Sequence, residues 1–294
     1  MSITIARRRP RPARVGLHAF LIAVSALWLF PLAWAVYTSL RPIGDTIRYG
    51  FVSWTGTLTL SNYVNAWNDA KLPTFYWNTL IVAVPAVILT LLLSSLVACA
   101  ITRFRWRLNI GVLMMLTAGN LLPPQVIIVP LYWLYLNFPI PIPEPLSDNG
   151  LLYDQYVGII LIHVVFQMGF CTFVLSNYMR TISREITEAA LVDGASVLRI
   201  WWNVILPLCR PALAALATLL FTFIYNDFFW ALVLMKSGSK RPITSALNNL
   251  KGEFFVNYNL LAAGALLAAI PAILVFIALQ RHFVRGLTLG ATKG

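Results

Sequence analysis

The chain has 294 residues, of which 59% are apolar and only 11% are charged, and its formal net charge is +12. A soluble domain carries about 25% charged residues, and soluble cores stop growing at about 250–300 residues. The composition therefore excludes a soluble protein and predicts an all-α integral membrane protein. Because the positive residues are spread through short segments between apolar runs, a nucleic-acid-binding domain is also excluded.

Six apolar segments are long enough to cross a bilayer, whose hydrocarbon core requires about 20 residues of helix. They predict transmembrane helices at residues 15–40, 77–101, 110–136, 156–178, 208–235 and 260–283. A single transmembrane domain then covers residues 15–284, between a basic N-terminal tail, 1–14, and a C-terminal tail, 285–294. The cysteines Cys99, Cys171 and Cys209 lie in or beside these segments without the spacing of a disulfide framework or a metal site, so no metal is expected.

Lys and Arg residues predict the orientation, because short cytoplasmic loops are rich in them. With the N-terminus inside, most of the 22 Lys and Arg residues fall on the cytoplasmic side. Both termini are therefore expected in the cytoplasm, although the outer segment 236–259 carries four positive residues. A competing interpretation takes the first segment as a secretory signal cleaved after Ala33-Trp34-Ala35, but its apolar run is long for a signal and contains Pro31.

Polar residues interrupt the third and fourth spans. In the third span, Asn120 and Gln125 flank a Pro-Pro pair, which predicts a break because proline cannot donate a helical hydrogen bond. The break is compatible with a polar path through the membrane or with a simple packing kink. In the fourth span, His163 and Gln167 stand one turn apart, so they either bond each other or face such a path. A lone histidine in an apolar helix is more often structural.

A polar segment on the predicted cytoplasmic side, residues 182–207, separates the fourth span from the fifth. Ser183 predicts the N-cap of a short helix, and Gly194 predicts its left-handed C-cap. Ser196 predicts the cap of a second short helix, and Pro207 is expected in the first turn of the helix that begins the fifth span. The segment is thus predicted to form two short helices with a bend, rigidly continuous with a transmembrane helix.

The same segment carries a spaced pattern, and its residues are Glu188, Ala189, Ala190, Asp193, Gly194, Val204, Leu206 and Pro207. The pattern resembles the EAA loop of the membrane subunits of bacterial ABC importers, E-A-A-x3-G-x9-I-x-L-P, with Val204 in place of the usual isoleucine. The resemblance implies that these residues couple the chain to a separate ATPase. An ordinary amphipathic helix on the inner leaflet is the alternative, because E-A-A alone is a weak signal.

Further runs extend the resemblance over nearly the whole chain, and they are Asn78-Thr79-Leu80, 100–107, 122–125, Asn226-Asp227-Phe228, 241–244 and the tail from Arg285. The chain is similar to the carbohydrate (maltose-type) importer permeases, in the branch of the maltose permease G subunit. The resemblance implies a second, different permease subunit, two ATPase subunits and an extracytoplasmic solute-binding protein. It also implies that Arg285, Gly286 and Lys293 of the tail reach the ATPase.

Asp227 is the only acidic residue within a predicted span. Acidic groups in the membrane are costly and commonly functional. Asn226 and Asp227 are therefore expected either on the translocation path or in a bond to a neighbouring helix or to the partner permease.

These observations predict a permease subunit in the bacterial cytoplasmic membrane that forms half of the pathway for a sugar or oligosaccharide. No phosphate-binding loop of the form G-x-x-x-x-G-K-[ST] occurs, so ATP and Mg²⁺ are expected on the partner ATPase subunits and no cofactor on this chain. The same architecture importing a polyol, glycerol phosphate or peptide is the alternative. A secondary transporter would need more internal carboxylates, and a membrane enzyme would need an acid/base or metal constellation.

Overall fold

The computed structural model describes residues 12–54, 56–104, 107–139, 150–251 and 256–288. Helices make up nearly all the regular structure in these ranges. The only extended pairings among the described residues are two isolated bridges, Pro139–Leu151 and Lys251–Val256. The predicted all-α class is therefore confirmed for the described part of the chain.

The α-helices are, in chain order, α1 (Pro12–Leu40), α2 (Ile43–Tyr49), α3 (Ser61–Asp69), α4 (Leu72–Arg103), α5 (Asn109–Gly119), α6 (Ile128–Asn137), α7 (Tyr156–Met179), α8 (Glu185–Val192), α9 (Val197–Ile200), α10 (Leu206–Leu208), α11 (Arg210–Tyr225), α12 (Phe229–Leu234), α13 (Ile243–Ala246) and α14 (Tyr258–Thr288). Three 3-10 turns and one π-turn complete the set, and they are Pro124–Ile127, Gly238–Lys240, Leu247–Leu250 and the π-turn Trp201–Ile205. Four helices, α1, α4, α7 and α14, are each long and apolar enough to cross a membrane.

The third and fifth predicted spans are bent rather than straight. The helices Asn109–Gly119 and Pro124–Asn137 meet at 89°, and the helical stretch Val197–Leu208 meets α11 at 78°. If each bent pair counts as one span, the described residues contain up to six spans. The first bend follows from the Pro-Pro pair, because the second proline opens a new 3-10 turn and the first has the extended backbone that precedes it.

The described residues form two compact units, of which the first contains residues 12–70 and 250–267. At its centre lies Arg41, which is only 1% exposed. Its guanidinium donates to the Asp45 carbonyl at 2.9 Å and the Ser53 hydroxyl at 2.6 Å, and its own carbonyl accepts the side-chain amides of Asn62 and Asn259. Arg41 is therefore a buried structural residue.

The second unit contains residues 71–249 and 268–288, and α4 and α7 form its core. Small residues dominate the buried face of α4, and they are Ala83, Ala86, Ser94, Ser95, Ala98 and Cys99. On α7, Gly169 lies so close to α5 that an added Cβ would overlap the Leu116 carbonyl and the Asn120 amide. Small side chains allow this close approach, and van der Waals packing of helices stabilises membrane bundles in the absence of a hydrophobic driving force.

Candidate functional site

The polar segment between α7 and α11 begins with α8. Ser183 Oγ accepts the backbone N–H of Glu185 at 3.2 Å, and the N-cap position itself is Arg184. The predicted cap, Ser183, is therefore displaced by one residue, within the usual scatter of helix ends. Glu185 and Glu188 both lie in the first turn, where carboxylates interact favourably with the positive end of the helix dipole.

The C-terminal end of α8 is a Schellman motif centred on Gly194. The Gly194 N–H donates to the Leu191 carbonyl and the Ala195 N–H to the Ala190 carbonyl, both at 3.0 Å. Gly194 has a φ of +75°, a left-handed conformation that glycine adopts without strain. The predicted left-handed C-cap is therefore confirmed.

A second short helix, α9, follows as predicted. Ser196 has extended backbone, and its hydroxyl accepts the N–H of Arg199 at 3.4 Å. This is the N-cap geometry expected for serine, although the hydrogen bond is long.

The stretch after α9 differs from the prediction. The Leu206 N–H reaches back five residues to the Trp201 carbonyl, which makes the π-turn. Pro207 lies just beyond this turn, in the first turn of the three-residue helix α10. The 78° bend then falls at Cys209, and Pro211 occupies the first turn of α11. The loop therefore joins the transmembrane helix through a sharp bend and not as one straight helix.

Arg103, the last residue of α4, ties that helix to the start of the loop. Its guanidinium donates to the carbonyls of Ile182 at 3.1 Å and Ser183 at 3.3 Å, and also to the carbonyl of Met179. These carbonyls stand at the C-terminal end of α7, where a cation interacts favourably with the helix dipole. Sequence analysis did not single out Arg103, because a cation that faces the end of another helix leaves no local sequence pattern.

The inner side of the loop packs against other parts of the second unit, including α4. Ile200 and Ile205 are fully buried, and the Trp201 indole N–H donates to the Ser95 hydroxyl of α4 at 3.1 Å. Of the residues of the EAA pattern, Ala190, Val204, Leu206 and Pro207 are half-buried, whereas Glu188, Ala189, Asp193 and Gly194 are exposed.

The outer side of the loop exposes a cluster of apolar side chains, and its members are Leu191, Val192, Val197, Leu198 and Trp202. Val192 is 87% exposed and Leu198 is 63% exposed. The acidic groups of Glu188 and Asp193 lie on the same exposed loop. Several exposed apolar side chains close in sequence, with charged neighbours, are typical of a protein–protein contact surface.

The second interruption lies between α11 and α12, inside the predicted fifth span. The Asn226 amide donates to the Thr222 carbonyl at 2.8 Å at the end of α11. The two carboxylate oxygens of Asp227 accept the backbone N–H groups of Trp230 and Ala231, both at 3.3 Å, at the start of α12. The predicted continuous helix is therefore wrong here, because these two polar side chains cap the ends of a break.

His163 of α7 faces this break. Its Nε2 lies 3.6 Å from Asp227 Oδ2, and the residue is only 4% exposed. Nε2 has no hydrogen-bond partner among the described residues, and no hydrogen bond joins His163 to the half-buried Gln167. The Thr244 hydroxyl donates to the Asp227 carbonyl at 2.5 Å, so α7, the break and α13 meet at this point.

Asn120 and Gln125 flank the bend between α5 and α6, and both are exposed. The Asn120 amide donates to the Leu116 carbonyl at 3.0 Å and lies against Gly169 of α7. Gln125 lies in the 3-10 turn that opens the second half of the bent pair. Asn120, Gln125 and Asn226 therefore share exposed positions at helix breaks, whereas His163 and Asp227 are enclosed.

Two runs of the sequence resemblance are in direct contact at one end of α4. The Asn78 amide donates to the carbonyls of Ser239 at 2.7 Å and Arg241 at 3.0 Å. The Ile243 N–H donates to the Thr79 hydroxyl at 2.8 Å. Sequence analysis quoted both runs but gave no reason for them to meet.

The family model described as binding-protein-dependent transport system inner membrane component matches residues 90–289. The chain belongs to this family. It is therefore a membrane permease component of a binding-protein-dependent transport system, located in the inner membrane, and a transport subunit rather than an enzyme. The matched range includes the whole EAA pattern and both helix breaks.

Individual proteins support the same family. The permease is 30% identical to the melibiose/raffinose/stachyose import permease protein MelC of Bacillus subtilis, over 98% of this chain and 100% of that protein. It is 30% identical to the diacetylchitobiose uptake system permease protein NgcG of Streptomyces coelicolor, over 94% and 88% of the two chains. Its fold matches a chain of a bacterial ABC transporter for alginate import, with a TM-score of 0.76, 24% identity and coverage of 94% and 99%.

The predicted ATPase-contacting residues of the C-terminal tail lie at and beyond the end of α14. Arg285 and Gly286 lie within α14, which extends four residues into the predicted C-terminal tail and ends at Thr288, whereas Lys293 lies outside the described residues. Within the described ranges, no group of three His, Cys, Asp or Glu residues could hold a metal ion.

Proposed function

We propose that this permease forms half of the transmembrane pathway of an ATP-driven importer for a sugar or oligosaccharide. The family and the names of the relatives support this proposal, since one relative is an import permease for melibiose, raffinose and stachyose and another is an uptake permease for diacetylchitobiose. The other half is a second permease subunit. Two ATPase subunits bind ATP and Mg²⁺, and an extracytoplasmic binding protein delivers the sugar.

The surface formed by α8 and α9 couples the permease to the ATPase. One observation carries this proposal: the loop exposes apolar side chains around Val192 and Leu198 while Arg103 and Trp201 attach its inner side to α4. A force on the exposed side of the loop therefore reaches α4 through direct hydrogen bonds. The 78° bend before α11 makes the loop a lever against that helix rather than its straight extension.

In the proposed arrangement the two bent pairs are each one span, which gives six spans with both termini in the cytoplasm. The positive residues at the ends of α4 and α7 and in the α8–α9 loop support the cytoplasmic side for the coupling surface. The C-terminal tail, with Arg285, Gly286 and Lys293, contacts the ATPase on that side.

The polar residues at the helix breaks line the pathway. Asn120, Gln125 and Asn226 occupy exposed positions at breaks, where freed backbone groups can face a cavity, as in other transporters with interrupted helices. His163 and Asp227 stabilise the break between α11 and α12 on its buried side. Gln167 stands one turn from His163 on α7.

Co-purification with functional reconstitution tests the proposal. A tagged permease is extracted gently from native membranes, its partners are identified, and the complex is placed in liposomes with ATP inside. We expect an ATPase, a second permease and a binding protein, and uptake of a sugar only when all are present. A stable preparation without any ATPase, or uptake by the single chain, would overturn the proposal.

The solute class is decided by the binding protein in the same preparation. Thermal-shift screening against sugars, polyols, glycerol phosphate and peptides separates the sugar proposal from the alternative. A melting temperature raised only by a non-sugar would contradict the sugar assignment while leaving the importer architecture intact.

A further inference from the structure

A basic cavity lies beside the start of α8. It has a volume of about 400 Å³, and three arginines line it: Arg107, Arg180 and Arg184. All three side chains are exposed, and none of them forms an ion pair with a described residue. No acidic side chain is among the described residues that line the cavity, so its charged lining residues are all positive.

The three arginines come from two segments of the chain, the α4–α5 turn and the α7–α8 connection. Arg107 precedes α5, Arg180 is the C-cap residue of α7, and Arg184 is the N-cap residue of α8. Bringing like charges together raises the electrostatic energy of the protein, so such a cluster is most stable when an anion occupies it. Guanidinium groups bind phosphate with paired, charge-assisted hydrogen bonds.

Beside the arginines, the cavity is lined by the polar residue Asn109 and by the apolar residues Ile110 and Leu113 of α5. The Asn109 amide donates to the carbonyls of Ile101 and Phe104, both at 2.8 Å, which fixes the turn between α4 and α5. Asn109 Oδ1 is buried and has no hydrogen-bond partner among the described residues. Ile110 and Leu113 follow on α5, an apolar helix of the third predicted span.

The cavity has a charged, a polar and an apolar part, and this combination matches a phospholipid better than a small anion. Arginines meet a phosphate, Asn109 Oδ1 accepts a hydroxyl of the headgroup, and the α5 surface contacts an acyl chain. Basic cavities between membrane helices on the cytoplasmic side are established binding places for anionic headgroups. We propose that the cavity binds the headgroup of an anionic phospholipid, such as phosphatidylglycerol, in the inner leaflet.

The position of Arg184 gives this lipid a consequence for the coupling surface. Arg184 is the residue immediately before Glu185, where α8 begins. A bound headgroup therefore holds the start of α8, and the efficiency with which ATP hydrolysis is coupled to uptake should rise with the fraction of anionic lipid. This consequence rests on the proposed function, whereas lipid binding itself requires only the cavity.

The test compares lipid binding in two variants of the full complex. The complex is purified into nanodiscs with equal phosphatidylglycerol and phosphatidylcholine, and native mass spectrometry counts the lipids that it retains. The double variant R107Q/R180Q spares Arg184 and the coupling helix. The control is R210Q, which removes an exposed arginine of the same predicted side that does not line the cavity.

We expect selective retention of phosphatidylglycerol by the wild type and by R210Q, and a loss of about fivefold per arginine in the double variant. The conservative variant R107K/R180K should retain an intermediate amount, which shows that the loss reflects charge and not misfolding. Equal retention by wild type and R107Q/R180Q would overturn the proposal.

Two further outcomes identify a different occupant and also overturn it. Displacement of phosphatidylglycerol by millimolar inorganic phosphate, without any acyl-chain dependence, would assign the cavity to a soluble anion. Loss of the ATPase from R107Q/R180Q with unchanged lipid would assign the arginines to an acidic surface of that subunit. Because the lipid count needs neither ATP nor sugar, its failure is distinguishable from failure of the proposed function.

Discussion

Two interruptions of helix, at Gly194 and at Asp227, differ in how far along the chain their partners lie. Each backbone bond that ends α8 at Gly194 joins residues at most five apart. Asp227 also caps a helix locally, but it faces His163 of α7 and its carbonyl accepts the Thr244 hydroxyl. The first interruption is therefore a property of its own segment, and the second depends on the assembled bundle.

This difference predicts how each interruption responds to substitution. A local cap can be replaced by any residue that adopts the same backbone conformation. A tertiary junction tolerates replacement only if every partner remains satisfied, because an unpaired polar group in a buried site retains its full desolvation cost.

The largest effect is expected for Asp227→Ala. The change removes the acceptor of two backbone N–H groups and the group that faces buried His163, so we expect a loss of about 3 kcal/mol of stability. Scanning fluorimetry of the purified complex should show a lower apparent melting temperature. Asp227→Asn keeps one acceptor oxygen, so its apparent melting temperature should lie between those of the wild type and Asp227→Ala. An unchanged melting temperature for the alanine variant would refute a tertiary junction.

An intermediate effect is expected for Gly194→Val. A β-branched residue at a φ of +75° costs about 1–3 kcal/mol, so the C-cap should open and displace the exposed face of α8. ATP-driven uptake in proteoliposomes should fall by about tenfold while the amount of protein in the membrane stays constant. Gly194→Asn, which tolerates the left-handed conformation, should retain most of the uptake. Full uptake by the valine variant would contradict the coupling role.

The smallest effect is expected for Ser196→Ala. The Ser196 hydroxyl caps only one turn of helix through a long bond, so its removal should cost at most about 1 kcal/mol, confined to α9. Hydrogen exchange of the amides in α9 should accelerate without any change in the melting temperature of the complex. Ser196→Thr should restore protection, and global destabilisation by the alanine variant would show that this cap is not local.

Much of the loop could be predicted because its determinants are close in sequence. Gly194 ends α8 and Ser196 begins α9 through hydrogen bonds to nearby backbone groups. The predicted C-cap at Gly194 and the predicted N-cap at Ser196 were both confirmed. Pro207 lies in the first turn of a helix, as predicted, but that helix is the three-residue α10, and the transmembrane helix α11 begins after the bend at residue 209 with Pro211 in its first turn.

The break at Asp227 was less predictable. Its polarity was evident, but a carboxyl group in an apolar segment does not reveal whether it caps a helix, binds a solute or meets another chain. Arg103 presented the same difficulty, since its three carbonyl partners lie more than 70 residues away along the chain. A positive charge after a span is equally compatible with a solvated loop.

The sequence by itself determined the all-α membrane class, the likeness to importer permeases and the local caps of the α8–α9 loop. These features depend on hydrophobic length, motif spacing and hydrogen bonds between residues a few positions apart. Only the tertiary structure decided that Arg41 is buried, that Arg103 holds the loop to α4, that His163 faces Asp227 and that three arginines share one cavity. Each of these depends on residues far apart in sequence, as Arg41 is from Asn259 and Arg107 is from Arg180, because such residues meet only when the helices pack.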